Sequence, residues 1–495
     1  MRELRTVSAV VLKLWVREVA KILGTTTRTV TVAAGSSVVV MLLFGLALAL
    51  IAGAQLGSAI SSELRLSLVR TSFAAAEMTA GIVAVVLCLA APPRTALQNS
   101  LDLLPVGRAS ARLGQLVPVL AMGLVYSAAL SSTSVVVLVR TSPDPLGMVR
   151  GLVLYALLLL SMMFAAVAVF SGLQSAGMRR LRLPLPYAST VAGVLTFAGV
   201  LALAAPEILS LRRSDPAGEG IGDLLPSRAF ARTAVQPDVW SAALVVLWIA
   251  ATAALLWFVS RHHLPGAPRT SVRLLRGTRP LRRTPWWGQL WAEGLIAIRN
   301  PQFVVAVLML PLGTAAVWVL AVTVPAAGIV VPALAGALPV LPFVLAVHAV
   351  GRTIRTHWVA RLAGGDDVPL LWPKALAAAL SGAALGAPIL LAVLLLGLVP
   401  ATQLPDVLLR CALGLVAGLL GGAMVPYSEE QPLSATASGF LVALIYMPAT
   451  LAAGWVSTVA APGTDRVIVL AAVVVLAGLF AVVAARQRVQ DPARA

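Results

Sequence analysis

Side chains able to do chemistry are scarce in this sequence and do not assemble into a familiar reactive set. Four histidines, at 262, 263, 348 and 357, lack the spaced Cys, Asp or Glu partners of a metal site. Cys88 and Cys411 sit in apolar runs, where a free thiol behaves as a small hydrophobe. Lysine occurs only at positions 13, 21 and 374, and the chain has no GxxxxGK[ST], so it cannot cradle nucleotide phosphates itself. An enzyme embedded in a membrane would need a His/Asp/Glu cluster at one depth, which no pair of apolar segments offers. Each half of the chain instead has one long polar interruption between its apolar segments, PPRTALQNSLDLLPVGRASARLGQL (92–116) and GRTIRTHWVARLAGGDDVPLLWPKAL (351–376). Each is long enough for a short helix, and Leu, Val and Trp among charges suit docking on another protein.

The elements that hold these stretches follow from composition. Of 495 residues 59% are hydrophobic and 11% charged, and mean hydropathy is +0.95. Soluble domains carry about 25% charged residues. A water-soluble enzyme, a nucleic-acid-binding protein and a disordered chain are excluded, and a polytopic all-α membrane protein is expected. A crossing takes about 20 apolar residues. Such runs lie at 30–53, 73–92, 115–138, 148–171, 186–206 and 239–260, then at 303–324, 327–350, 375–399, 406–426, 435–459 and 466–485. Twelve spans as two six-helix halves are therefore predicted. The run at 327–350, with Pro332, Pro339 and Pro342, reads as a kinked span covered by neighbouring helices.

With both termini cytoplasmic, 27 of the 37 Lys and Arg fall on the inner side and ten on the outer. That asymmetry satisfies the positive-inside rule. The net charge of +18 is thereby read as orientation rather than as a polyanion site. The predicted order is an amphipathic helix in 1–29, a membrane half over 30–260 and a basic linker over 261–285. A second amphipathic helix over 286–302, a second half over 303–485 and a tail over 486–495 complete it.

The two amphipathic stretches open the two halves. In the first, Lys13, Arg17 and Lys21 share one helical face, with Leu12, Trp15, Val16, Val19 and Leu23 on the other. In the second, Trp287, Trp291, Leu295 and Ile298 form a stripe, with Glu293 and Arg299 off it. Recurrence at both half-starts favours helices lying in the bilayer interface over plain extensions of the following spans. Beyond these, Glu77 reads either as a substrate or proton site or as an outer-rim carboxylate hydrated among headgroups. Glu429 and Glu430 occupy the loop equivalent to the basic residues Arg179, Arg180 and Arg182.

Two motifs carry a family likeness: Ile298-Arg299-Asn300-Pro301-Gln302-Phe303 followed by Pro311, and Leu103-Leu104-Pro105-Val106-Gly107-Arg108 running on through Arg112-Leu113-Gly114-Gln115. In these, and in architecture over nearly the whole chain, the sequence resembles the permease subunit of ABC-2-type (type V) ABC transporters, with two six-span halves fused. The resemblance implies coupling helices that seat in separate cytosolic ATP-binding subunits, as two copies or a heteropair. It assigns coupling to Asp102, Pro105, Arg108 and Arg112 in one loop and to Asp366, Asp367 and Trp372 in the other, and interfacial-helix roles to Trp15, Arg17, Lys21, Trp287, Trp291, Glu293 and Arg299. ATP and Mg would be held by the partner, with no cofactor in this chain, and the expected setting is a bacterial cell membrane. The implied function is export of a lipophilic or amphipathic substrate. The second loop has Gly364-Gly365-Asp366-Asp367 where the first has its Pro105–Arg108 turn; this implies unlike partners or an asymmetric cycle, or else drift between duplicated halves. The family's short outer-leaflet helices are expected only in the long segment 207–238. Two other readings stand beside this one: a major-facilitator-type secondary transporter, disfavoured by nearly charge-free spans, and a non-transporting membrane scaffold.

Overall fold

A computed structural model describes residues 2–22, 25–36, 62–90, 107–210 except 143, 224–262, 285–323, 330–351, 371–425 and 463–489, with single residues between 38 and 43 and between 438 and 453. Among these the chain is helical, without a strand. Among the described residues ten helices are long and apolar enough to cross a membrane. The predicted spans 30–53 and 435–459 lie largely outside the described residues, as do the 261–285 linker, the tail and Glu429–Glu430. The protein is an all-α polytopic membrane protein. It divides into two compact units, Met1–Ser271 and Val272–Ala495.

The first unit contains α1 (Arg2–Ile22), α2 (Ser62–Ala90), α3 (Arg108–Leu130), α4 (Ser132–Thr141), α5 (Pro145–Arg180), α6 (Leu185–Ser210), α7 (Pro226–Val235) and α8 (Val239–His262). At its centre is α5, 36 residues long. Asp144 caps it by accepting from Gly147 N–H at 3.1 Å, with Pro145 preset for the first turn. At its far end Arg182 takes a left-handed φ of 51° and Leu183 N–H donates back to Gly177 O. Helix α2 packs against α5 and α6 through Ala76, Ala80 and Ala84, which are fully buried at every fourth position. Small residues let backbones approach closely in a medium without a hydrophobic drive between helices. Beside them, a Cβ on Gly81 would lie 2.5 Å from Val200.

The predicted third span, 115–138, is two helices. The chain breaks at Ser131, whose hydroxyl lies 2.6 Å from the Tyr155 hydroxyl of α5. Side chains thus satisfy the backbone where the helix stops. A further link runs from Ser134 Oγ to Ser72 O at 3.0 Å.

The second unit contains α9 (Pro285–Ile298), α10 (Pro301–Thr323), α11 (Val330–Ala337), α12 (Leu341–Val344), α13 (Val347–Gly351), α14 (Leu371–Leu395), α15 (Leu404–Met424) and α16 (Thr464–Val489). Its second span is α11 to α13, interrupted by a 3-10 turn at Leu338–Val340 that carries Pro339. The interrupted chain lies along Gly414, Gly418 and Gly422 of α15. A Cβ on Gly422 would stand 2.2 Å from Val347 O, and one on Gly418 would stand 2.9 Å from Val344 O. Only glycine admits backbone this close.

Candidate functional site

Each unit ties its amphipathic helix to the start of the helix that follows its polar loop. In the first unit α1 lies on the beginning of α3: Val7, Val11 and Ala111 are buried together with Trp15 against them. A Cβ on Gly114 would meet Val7 at 2.7 Å. The packed stripe is therefore Val7, Val11 and Trp15, at intervals of four, rather than the stripe through Leu12, which is 45% exposed. Arg17 is exposed, as Lys13 is.

In the second unit α9 lies on the beginning of α14, and the junction is polar. Lys374, 2% exposed, donates to Glu293 Oε1 at 2.6 Å. Around this pair is a cavity of about 30 Å³ lined by Asn300, His348 and Ser381 among others, room for about two waters. Trp287, Trp291 and Ile298 lie on the uncovered side of α9 and are exposed, as an interfacial tryptophan stripe requires. Glu293, off that stripe, is the side chain that packs inward, and Arg299 is half-buried. The sequence gives a signal for the pair: Lys374 is one of only three lysines, and it closes the polar loop.

Of the residues assigned to coupling, Trp372 is 69% exposed at the start of α14. Arg108 begins α3. Arg112, one turn further, is 6% exposed, so its guanidinium belongs to the helix packing and not to an open surface. Asp102, Pro105, Asp366 and Asp367, and the side chain of Lys21, lie outside the described residues. Among the described residues no cluster of His, Cys, Asp and Glu could hold a metal ion, and Cys88 and Cys411 are buried free thiols.

The first unit also holds a polar cluster that hydropathy did not reveal, centred on α7. This ten-residue helix within the long segment 207–238 is buried: Phe230 and Ala231 are inaccessible. Pro226 opens it, and Ser227 N–H donates to Glu77 Oε2 at 3.1 Å. At its other end Arg150 of α5 donates through Nε and Nη2 to Ala234 O, at 3.2 and 2.9 Å. A carboxylate at the N-terminus and a guanidinium at the C-terminus both match the helix dipole. Arg228 of α7 pairs with Glu207 of α6 in a buried salt bridge. Trp248 Nε1 of α8 donates to Leu224 O at 2.9 Å. Just beyond α7, Asp238 accepts from Ser241 N–H at 2.7 Å and pairs with Arg232 at 3.0 Å. The Ser241 amide, and then Arg232, hold its carboxyl below the ordinary carboxylate range.

Glu77 is not a hydrated carboxylate but a side chain buried in the packing of the first unit. It stands twelve residues from either end of the span Arg65–Leu89 and is 0% exposed. The run 73–92 placed it at an edge because Arg65 and Arg70 depress hydropathy where the helix already continues. The signal available in the sequence was Pro226 opening a short Ser/Arg/Ala/Phe helix, with Glu207 and Arg228 to satisfy each other.

No family model, no curated protein and no solved structure matches the chain.

Proposed function

We propose that the chain is the membrane-spanning permease subunit of an ATP-driven ABC transporter, exporting a lipophilic or amphipathic substrate. ATP and Mg are bound and ATP hydrolysed by separate cytosolic ATP-binding subunits that dock on the loops at 93–114 and 351–374. One observation carries this reading. In both units the helix that leaves the polar loop is fastened at its first turns to the amphipathic helix, by Val7 on Ala111 and Gly114 in one and by Glu293 on Lys374 in the other. A push on either loop thus moves an interfacial helix and a span together. The unlike junctions, apolar in one unit and ionic in the other, fit an asymmetric cycle. Purification of the tagged chain from its own membranes tests the reading. An ATP-binding subunit should co-purify and bring ATPase activity, and Arg108→Glu or the pair Asp366→Lys and Asp367→Lys should release it. Absence of any ATPase from the purified complex overturns the proposal.

A proton-linked secondary transporter is the second reading, and Glu77 is what favours it. An ionisable group buried at mid-span marks an ion or substrate pathway by default. Transport that collapses with a proton gradient and persists without ATP would establish this reading over the first.

A further inference from the structure

Glu77 has an unusual pair of surroundings for its two oxygens. Oε2 accepts one backbone amide, from Ser227 at 3.1 Å. Oε1 is buried without a hydrogen-bond partner, and so is the Ser227 hydroxyl beside the carboxyl. An ionised carboxylate offers about four acceptor positions, and here one is filled. Among the described residues, the arginines of α5 and α7 near it are engaged elsewhere. Arg228 on α7 is engaged by Glu207 on α6, whose own carboxylate is a like charge acting on Glu77. Arg150 on α5 is spent on Ala234 O, and Tyr155 on α5 is bound to Ser131. Arg70 lies two turns away on α2 itself. At mid-span no solvent is at hand to repair the deficit.

We propose that Glu77 is a proton-binding site that governs the seating of α7. With a proton on Oε1, the carboxyl is neutral, turns its O–H to the Ser227 hydroxyl and keeps Oε2 on the Ser227 amide. Both orphaned atoms are then satisfied and α7 stays buried. Loss of the proton to water leaves a carboxylate that needs further donors. The Ser227 hydroxyl can turn to supply one, and the others come when α7 shifts and admits water along its Ser227 end. The device is independent of whether ATP or a proton gradient drives the cycle.

The test uses the full chain in vesicles with Cys88 and Cys411 replaced by serine. A reporter Ala231→Cys is placed at a fully buried position on α7. Its labelling by a maleimide is followed against pH with Glu77 present and with Glu77→Gln, a neutral side chain that can still accept from Ser227 N–H. The ratio of the two rates cancels the ionisation of the thiol itself. The ratio should stay near one at low pH and rise by about tenfold or more at high pH, since a tenfold ratio is a shift of about 1.4 kcal/mol in the opening equilibrium. A ratio of one at every pH overturns the proposal. Should the glutamine variant fail to fold, infrared spectra of the unsubstituted chain with labelled glutamate decide it. A protonated glutamic-acid carbonyl band is expected at neutral pH, and its absence overturns the proposal. Neither measurement involves an ATP-binding partner, so failure here leaves the proposed function standing.

Discussion

Replacing Lys374 by methionine should loosen the second unit at the junction of α9 and α14, by an amount that can be bounded. Removal of one partner from a buried ion pair costs about 3–5 kcal/mol, because the remaining charge is left without compensation. Here Lys374 is 2% exposed, but the Glu293 side chain is 12% exposed and borders a cavity of about 30 Å³. Water entering that cavity recovers part of the loss, which lowers the expected cost to about 2–3 kcal/mol, or about 30- to 150-fold in the unfolding equilibrium. Replacing both members, Lys374→Met with Glu293→Leu, removes the unpaired charge and should return stability to within about 1 kcal/mol of the starting protein. The assay is unfolding in micelles of rising denaturing-detergent fraction, read by tryptophan emission, since Trp287 and Trp291 stand on α9 itself. If the single substitution costs less than about 1 kcal/mol, or the double costs as much as the single, the pair does not fasten the two helices.

Two further outcomes can be read with simpler measurements. Gly422→Ala should destabilise by about 1–3 kcal/mol, because the new Cβ meets backbone at Val347 O, 2.2 Å away; Gly478→Ala, with open space around it, should gain up to about 1 kcal/mol from helix propensity, and thermal aggregation in detergent ranks the two. Brominated lipids should quench Trp287 and Trp291 strongly, with the loss of quenching in a Trp287→Phe, Trp291→Phe variant measuring their share; unquenched tryptophans there would place α9 away from the bilayer.

Long apolar runs announced themselves because a membrane span needs little more than length and hydropathy, and α6, α8, α10, α14 and α15 begin and end within a few residues of the expected positions. Breaks were harder. Pro339 flagged the interrupted second span of the other unit, whereas Ser131 carries no such warning, since it stops a helix through a contact with Tyr155 twenty-four residues away. The glycines at 414, 418 and 422 show their spacing in the sequence but not which backbone they receive. The amphipathic helices were visible as periodic patterns, yet their docking partners were not. Lys374 and Glu293 are 81 residues apart, and nothing local pairs them. A short helix was expected within 207–238, but its burial was not, and Glu77 could be read as a solvated rim because the amide that reaches it comes from 150 residues away.

The clamped helix α7 also bears on how the chain is made. Its end groups meet Glu77 of α2, Arg150 of α5 and, through Arg228, Glu207 of α6, and all three precede it in the sequence. A ribosome therefore delivers the receptors before the element they receive, and α7 can be withdrawn from water as soon as it emerges. The Asp238 pair with Arg232 and the Trp248 contact to Leu224 come later, with the start of α8 and its middle. For Glu77, Arg150 and Glu207, synthesis order and burial order coincide, so the buried end groups of this polar segment meet partners already translated.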